Sequence, residues 1–272
     1  MLIDIISDLH IDQWNSKIYT KYPLGNVVDS PFKLPKSDAR VLIIAGDIAD
    51  DIDESMKYLN KLSKTNNYDK ILFIDGNHEH VNSYPMLFDV DEIYKKIKSL
   101  KNNKVTYLPK SPVKFGNTII IGCCGWWDYE NKKQSSINKN MMYFKHWIPS
   151  FTKTDNKKFI NNVIKQSEKD YCYLRDQLDI YENKSNIKNI IVVTHTVPLE
   201  QFCTKGTDAV SVDLNTKFIK LLRKYTKITH WVFGHTHDSI ECKIEGVHFI
   251  CNPRGRPVDM NRTRYYLKTI EI

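Results

Sequence analysis

The stretch WVFGHTHDSI, Trp231–Ile240, runs an apolar segment into a glycine and then places two histidines, His235 and His237, one residue apart. The apolar part is β-branched and aromatic and too short for a core helix, so it reads as a buried strand. Groups able to bind a cation therefore stand where a strand leaves the core. The same arrangement recurs in LIDIIS (2–7), VLIIAG (41–46), ILFIDG (71–76), TIIIGCCG (118–125) and NIIVVTH (189–195). Past these runs come Asp8 and His10, then Asp47, then Asn77, His78 and Glu79, then His195. In an open α/β sheet, loops from neighbouring strands converge at the carboxyl ends, so these groups are expected to meet there. Residues i and i+2 of an extended exit project alike, which predicts that Asp8/His10 and His235/His237 each act as a two-pronged clamp.

Helical periodicity fills the gaps. Met56, Leu59 and Leu62 share one face of 54–64; Val90, Ile93, Ile97 and Leu100 share one of 89–100; Leu214, Phe218, Leu221 and Leu222 predict a helix over 213–225. A further helix is expected over about 156–181. Strands alternating with helices imply an α/β fold with largely parallel pairing. Hairpins are expected around Gly116–Asn117 and Glu245–Gly246, and 264–272 reads as a last strand. The region 126–160 has no period and mixes Trp126, Trp127, Tyr143, Phe144, His146, Trp147 and Phe151 with lysines and asparagines. It reads as an insertion in a single domain spanning 1–272, either a lid, a base-stacking surface or a satellite hydrophobic cluster, the last preferred.

Composition narrows the classes. The chain has 272 residues, 41% of them hydrophobic, and a formal net charge of +8. That charge suits phosphate-rich partners or simply a lysine-coated surface. No stretch has the apolar length of a membrane helix. The start MLIDIISDLHID lacks a basic segment and is a poor signal peptide. Six scattered cysteines form no C-x-x-C pair, so neither a disulfide framework nor a zinc knuckle is indicated, and a reducing, cytoplasmic location is expected. Phosphate-binding glycine loops and the cysteine-phosphatase motif are absent.

Taken together, SDLH, AGDI, GNHEH, VVTHTVP, VFGHTHDS and CNPRGRP follow the order D-x-H, GD, GNH[ED], H, G-H-x-H. This set resembles the calcineurin-like metallophosphoesterase superfamily, within a cytosolic branch that ends in NPRG. The resemblance implies two mixed β-sheets packed as a sandwich and flanked by helices. It implies that Asp8, His10 and His237 bind one metal ion and that Asn77, His195 and His235 bind a second, with Asp47 bridging. A hydroxide between the metals is the implied nucleophile, and His78 the implied general acid at the leaving group, with Asp50 or Asp51 as the carboxylate beside it. Mixed nitrogen and oxygen ligation without thiolates suits Mn, Fe, Zn, Co or Ni, with Mn favoured. Glu79 is expected to brace the site from behind, and His80, His146, His230 and His248 to have structural or surface roles.

Arg254, in NPRG, is either a phosphate-gripping or a loop-fixing arginine. Two positions depart from the branch: Arg256 stands where an aromatic residue is common, and CCGWW (123–127) replaces a TLW signature. The expected activity is hydrolysis of phosphate esters, small phosphodiesters or nucleotides. Two other readings remain: a catalytically silent scaffold that keeps the fold, and a nucleic-acid-binding module driven by positive charge. Neither a membrane partner nor an oligomeric state is indicated.

Overall fold

The computed structural model describes residues 1–14, 34–65, 68–83, 89–139, 153–204, 210–256, 259 and 266–272. The isoleucine- and valine-rich runs form strands because both faces of each are buried, which is why they read as continuous apolar stretches. Strands β1 (Leu2–Ile6), β2 (Val41–Ala45), β3 (Lys70–Ile74) and β4 (Val105–Tyr107) pair in parallel. The C-terminal strand β11 (Lys268–Glu271) closes that sheet, antiparallel to β1.

The second sheet has the order β5-β6-β7-β8-β10-β9, with β5 Val113–Phe115, β6 Thr118–Cys123, β7 Asn189–Thr194, β8 Ile228–Phe233, β9 Ile240–Ile244 and β10 Val247–Cys251. Its middle four strands are parallel, and hairpins supply the two antiparallel edges. The tight turn between β9 and β10 uses positive φ at both Glu245 and Gly246, as a two-residue hairpin requires.

The sheets face each other through Ile3, Ile5, Ile43 and Leu72 on one side and Ile120, Ile191, Val193, Val232 and Ile250 on the other. Helices Ile52–Thr65 and Val90–Ser99 cover the outer face of the first sheet with Met56, Leu59, Ile93 and Ile97. Helices Lys153–Glu182 and Phe218–Lys224 cover the second, with Leu174, Leu178, Phe218 and Leu221. The expected helix-flanked sandwich is therefore present. Truncating a fully buried aliphatic side chain in such a core costs about 2–5 kcal/mol. No helix among the described residues is long and apolar enough to cross a membrane.

Two local expectations need correction. The helix expected over 213–225 begins only at Phe218. Leu214 instead forms a bridge to Val197, and the Asn215 amide donates to the carbonyls of Trp126 and Ser167. An apolar residue at helical spacing was thus packing a loop. In the insertion, Trp126, Trp127 and Tyr129 are buried against Phe159, Ile160 and Val163, a satellite hydrophobic cluster. Tyr143, Phe144, His146, Trp147 and Phe151 lie outside the described residues. Tyr129–Lys132 turns left-handed, with φ of 53°, 53°, 59° and 66°. That conformation costs about 1–2 kcal/mol per residue. Asp128 anchors it, accepting from Asn131 N at 3.0 Å and from Thr216 Oγ1 at 2.5 Å.

Candidate metal centre

Strands β1, β2, β3, β7 and β8 stop at Ile6, Ala45, Ile74, Thr194 and Phe233, and the polar groups begin just beyond. The clamp geometry expected from an extended exit is not what aims them. Asp8, His10, Asp47, His235 and His237 all lie past the strands with φ of 49°, 43°, 56°, 74° and 56°. Non-glycine residues are uncommon in that region, so the surrounding hydrogen bonds must hold five strained backbones in place. Some are visible: Asp8 N donates to Gly46 O at 3.0 Å, His10 N to Asp47 O at 3.1 Å, and His235 N to Asp8 Oδ1 at 2.9 Å. The left-handed backbone, rather than strand alternation, sets where these side chains point.

Close approach is bought with glycine at two points. A Cβ on Gly76 would fall on the Asp47 carboxylate, and one on Gly234 would lie 2.7 Å from Asp8 Oδ2.

Two side-chain clusters result. In the first, Asp8, His10, Asp47 and His237 bring one ligand atom each within 4.8 Å of one another. His10 Nε2 lies 3.0 Å from His237 Nε2 and 3.9 Å from Asp47 Oδ2, and His237 Nε2 lies 3.6 Å from Asp8 Oδ1. In the second, Asp47 meets His195 and His235. His195 Nε2 is 3.2 Å from Asp47 Oδ2 and 3.0 Å from Asn77 Oδ1, and His235 Nδ1 is 3.0 Å from the same Asn77 oxygen. Asp47 belongs to both clusters. All seven candidate ligands named from the sequence are thus drawn together. Asp8, His10 and His195 are fully buried.

The outward nitrogens determine what the inward ones offer. His195 Nδ1 lies 2.9 Å from Ala45 O, His235 Nε2 3.3 Å from Asp213 Oδ1, and His237 Nδ1 2.7 Å from Asp259 Oδ2. Carbonyls and carboxylates only accept, so each of these nitrogens carries the proton. The nitrogen on the inner side of each ring is then the one left to take a metal ion or a second proton. His195 Nε2 and His235 Nδ1 face each other at 3.3 Å, with the Asn77 oxygen beside them. Asp8 Oδ2 is buried without a hydrogen-bond partner among the described residues. Converging lone pairs and carboxylate oxygens repel one another unless a cation sits among them, so the donor set fits metal ions. The same field shows in the protonation. Burial works against charge on Asp47, yet His195 and then His78 hold its pKa well below the ordinary value. Burial likewise opposes charge on His195, but Asp47 raises its pKa to about 10, so a proton and a metal ion compete for its inner nitrogen.

Asp213 and Asp259, which orient two of the histidines, have no signature in the sequence. Asp259 reaches His237 from 22 residues away, across the loop after β10.

Beside the first cluster, His78 Nδ1 lies 2.5 Å from Asp50 Oδ1, and Asp47 Oδ2 is 3.9 Å from His78 Nε2. Of the two acids considered for this contact, Asp50 makes it, while Asp51 accepts from Asp53 N at 2.7 Å at the start of the helix. Glu79 lies behind the site. It accepts from Asp47 N (3.0 Å), Ile48 N (2.7 Å), Gly76 N (2.7 Å) and Ser55 Oγ (2.9 Å), tying the loop after β2 to the loop after β3. Burial, then Asp47, push its pKa up to about 8.

Arg254 is buried, with its guanidinium carbon 4.1 Å from the Trp14 ring centroid. Arg256, two residues on, is the arginine that reaches His78: its Nη2 is 2.7 Å from His78 Nε2. His80 pairs with the buried Asp75 at 2.8 Å, and the His230 and His248 rings meet at a tilt of 48° with centroids 5.4 Å apart on the second sheet.

Comparison with known proteins finds relatives of this chain. An uncharacterised protein of Acanthamoeba polyphaga mimivirus is 26% identical over 279 residues, covering 97% of this chain and 95% of that protein. The crystal structure of phosphopantetheinyl hydrolase (PptH) from Mycobacterium tuberculosis superposes with a TM-score of 0.68 at 20% identity, covering 98% of this chain and 95% of that one, and so shares the fold. The family model for calcineurin-like phosphoesterases matches residues 1–239. The chain therefore belongs to the calcineurin-like phosphoesterases, hydrolases that act on phosphoric esters.

Proposed function

We propose that this chain is a binuclear metal-dependent phosphoesterase acting on small phosphate esters, phosphodiesters or nucleotides. One observation carries the reading: three histidines have their outer nitrogens committed to acceptors, so their inner nitrogens converge beside a carboxylate, Asp47, shared by two clusters. Asp8, His10 and His237 would hold one ion and Asn77, His195 and His235 the other, with Asp47 between them. Two such cations, Mn favoured, would polarise the phosphoryl oxygens and acidify a water towards neutral pH. A shared carboxylate is the group that lets two like charges sit close together. His78 is assigned to the leaving-group side. Asp50 accepts its Nδ1 proton and turns Nε2 towards the site, where a proton on Nε2 would pass to the departing oxygen. Glu79 acts through Asp47 and Gly76 as a positioning residue.

Six scattered cysteines with no C-x-x-C pairing fit a reducing compartment such as the cytoplasm. The reading treats 1–272 as one catalytic domain.

The test is turnover of p-nitrophenyl phosphate and bis-p-nitrophenyl phosphate by protein stripped with chelator and reloaded with Mn, Fe, Zn, Co, Ni or Mg. Metal-dependent hydrolysis that disappears in Asp47→Ala is expected. Metal uptake without turnover of either ester would favour the silent scaffold. Salt-sensitive nucleic-acid binding that survives chelation would favour the third reading.

A further inference from the structure

Arg256 is placed as if its position mattered. Its backbone N donates to Asp259 Oδ2 at 2.5 Å, and that same oxygen accepts from His237 Nδ1 at 2.7 Å. The preceding residues are tied to the first strand's exit: Gly255 N donates to Asp8 O at 2.8 Å and Arg254 N to Ser7 O at 3.0 Å. Trp14 Nε1 donates to Gly255 O at 2.9 Å. The side chain then crosses to His78, with Nη2 2.7 Å from Nε2. Its Nε is buried and has no hydrogen-bond partner among the described residues. The guanidinium thus spends one donor on a neutral imidazole nitrogen and leaves another buried and unused. Nε–H and the adjacent Nη–H form the edge that matches two oxygens of a phosphoryl group. A permanent positive charge beside a site built for cations is also unfavourable unless an anion lies between them.

We propose that Arg256 recognises the third terminal oxygen of a phosphomonoester and so makes this site select monoesters, nucleotides among them, over phosphodiesters. The inference rests on the phosphoesterase reading above. A diester has only two non-bridging oxygens, and ions held by the two clusters would engage both. Its remaining oxygens carry carbon and no charge. A monoester has one more terminal oxygen, bearing the second negative charge, which would point away from the two clusters. Arg256 stands on the His78 side, where that oxygen would emerge next to the leaving group. On binding, the Nη2 donor would move from His78 Nε2 to the phosphoryl oxygen, Nε–H would gain its partner, and the released Nε2 would take up a proton from solvent that it can pass to the leaving oxygen. Arg256 would then bind substrate and His78 would act only once substrate is seated.

The experiment compares wild type, Arg256→Ala and Arg256→Lys, each loaded with the same metal, on p-nitrophenyl phosphate and bis-p-nitrophenyl phosphate. Losing a hydrogen bond to a charged group should lower kcat/KM for the monoester about 10- to 100-fold in Arg256→Ala. The diester should lose less, so that the monoester-to-diester ratio falls by about tenfold, and lysine should restore part of it. Calorimetric titration with inorganic phosphate and with dimethyl phosphate gives a second readout: only the phosphate affinity should weaken markedly. Unchanged metal content and melting temperature certify the variants, and Arg256→Gln replaces Arg256→Ala if the latter does not fold.

Equal losses on both esters, or a larger loss on the diester, would overturn the proposal and leave Arg256 as a residue that merely positions His78. No change on either ester would overturn it as well. Wild-type protein that turns over neither ester with any metal fails in a different way: it removes the phosphoesterase reading itself. Phosphate binding that does not depend on Arg256 would then remove this proposal too.

Discussion

Asp213 offers a quantitative test of how the second cluster works. Its Oδ1 lies 3.3 Å from His235 Nε2, and its Oδ2 accepts from Thr204 N at 2.9 Å. The side chain is nearly inaccessible, and although burial alone would raise its pKa, His235 holds it below the ordinary value. As an ionised acceptor it forces the proton onto His235 Nε2 and keeps Nδ1 free beside Asn77. Asparagine at this position keeps the shape and one acceptor for Thr204 but removes the charge. It also lets the amide present an N–H to His235, which would push the ring towards the other tautomer. A hydrogen bond to a charged group is worth about 1.5–3 kcal/mol. At about 1.4 kcal/mol per tenfold, that matches the 10- to 100-fold loss of metal affinity typical when the partner of a ligating histidine is removed.

Asp213→Asn should therefore weaken binding of one ion about 10- to 100-fold and leave the other close to wild type. Competition against a chromophoric chelator, with two resolved binding steps, measures this directly. Asp259→Asn is the control on the opposite cluster and should weaken the other step. Two unchanged steps in Asp213→Asn, in a protein that melts as wild type does, would refute the claim that this carboxylate sets the histidine's tautomer. So would equal weakening of both.

Further outcomes follow from single residues. His78→Asn should keep full metal content, read by elemental analysis, while kcat falls about 10²–10⁴-fold; unchanged turnover would remove His78 from the chemistry. Gly76→Ala would drive a methyl into the Asp47 carboxylate, so melting should show a loss of about 1–3 kcal/mol or more together with loss of bound metal. Asp170 accepts from Gly125 N and Trp126 N at 2.8 and 3.1 Å, and burial, reinforced by Asp75, pushes its pKa up to about 7 from an ordinary 3.8. Its folded value exceeds its unfolded one, so its contribution is intact below about pH 4 and declines as pH rises to about 7. The melting temperature of Asp170→Asn should consequently gain on wild type across that range, and a constant offset at every pH would contradict the shift.

The parts legible in the sequence were those fixed by burial. VLIIA and NIIVVT could only be strands covered on both faces, and the glycine or polar residue after each marked where the covering stopped. Groups able to bind a cation stood at five such exits, and the fold brings them into two clusters. What the sequence did not reveal depends on contacts made only in three dimensions. Leu214 has helical spacing with Phe218 yet serves as a bridge partner of Val197, because the Asp128 and Asn215 side chains tie that loop to the segment after β6. Strand alternation suggested how Asp8 and His10 would be aimed, whereas the backbone reaches that aim through left-handed turns that sequence alone does not disclose for non-glycine residues. Asp213 and Asp259 are ordinary loop acids until the fold brings them against His235 and His237. Arg254 drew attention through its motif, but Trp14 covers it, and the neighbouring departure, Arg256, reaches the histidine.

The central claim is that two ions share Asp47. Elemental analysis after equilibration with manganese and removal of unbound metal tests it most directly, on wild type and Asp47→Ala side by side. The account predicts two ions per wild-type chain and a loss affecting both sites in the variant. A wild-type chain that retains no ion, or an Asp47→Ala chain that still retains two, would contradict it.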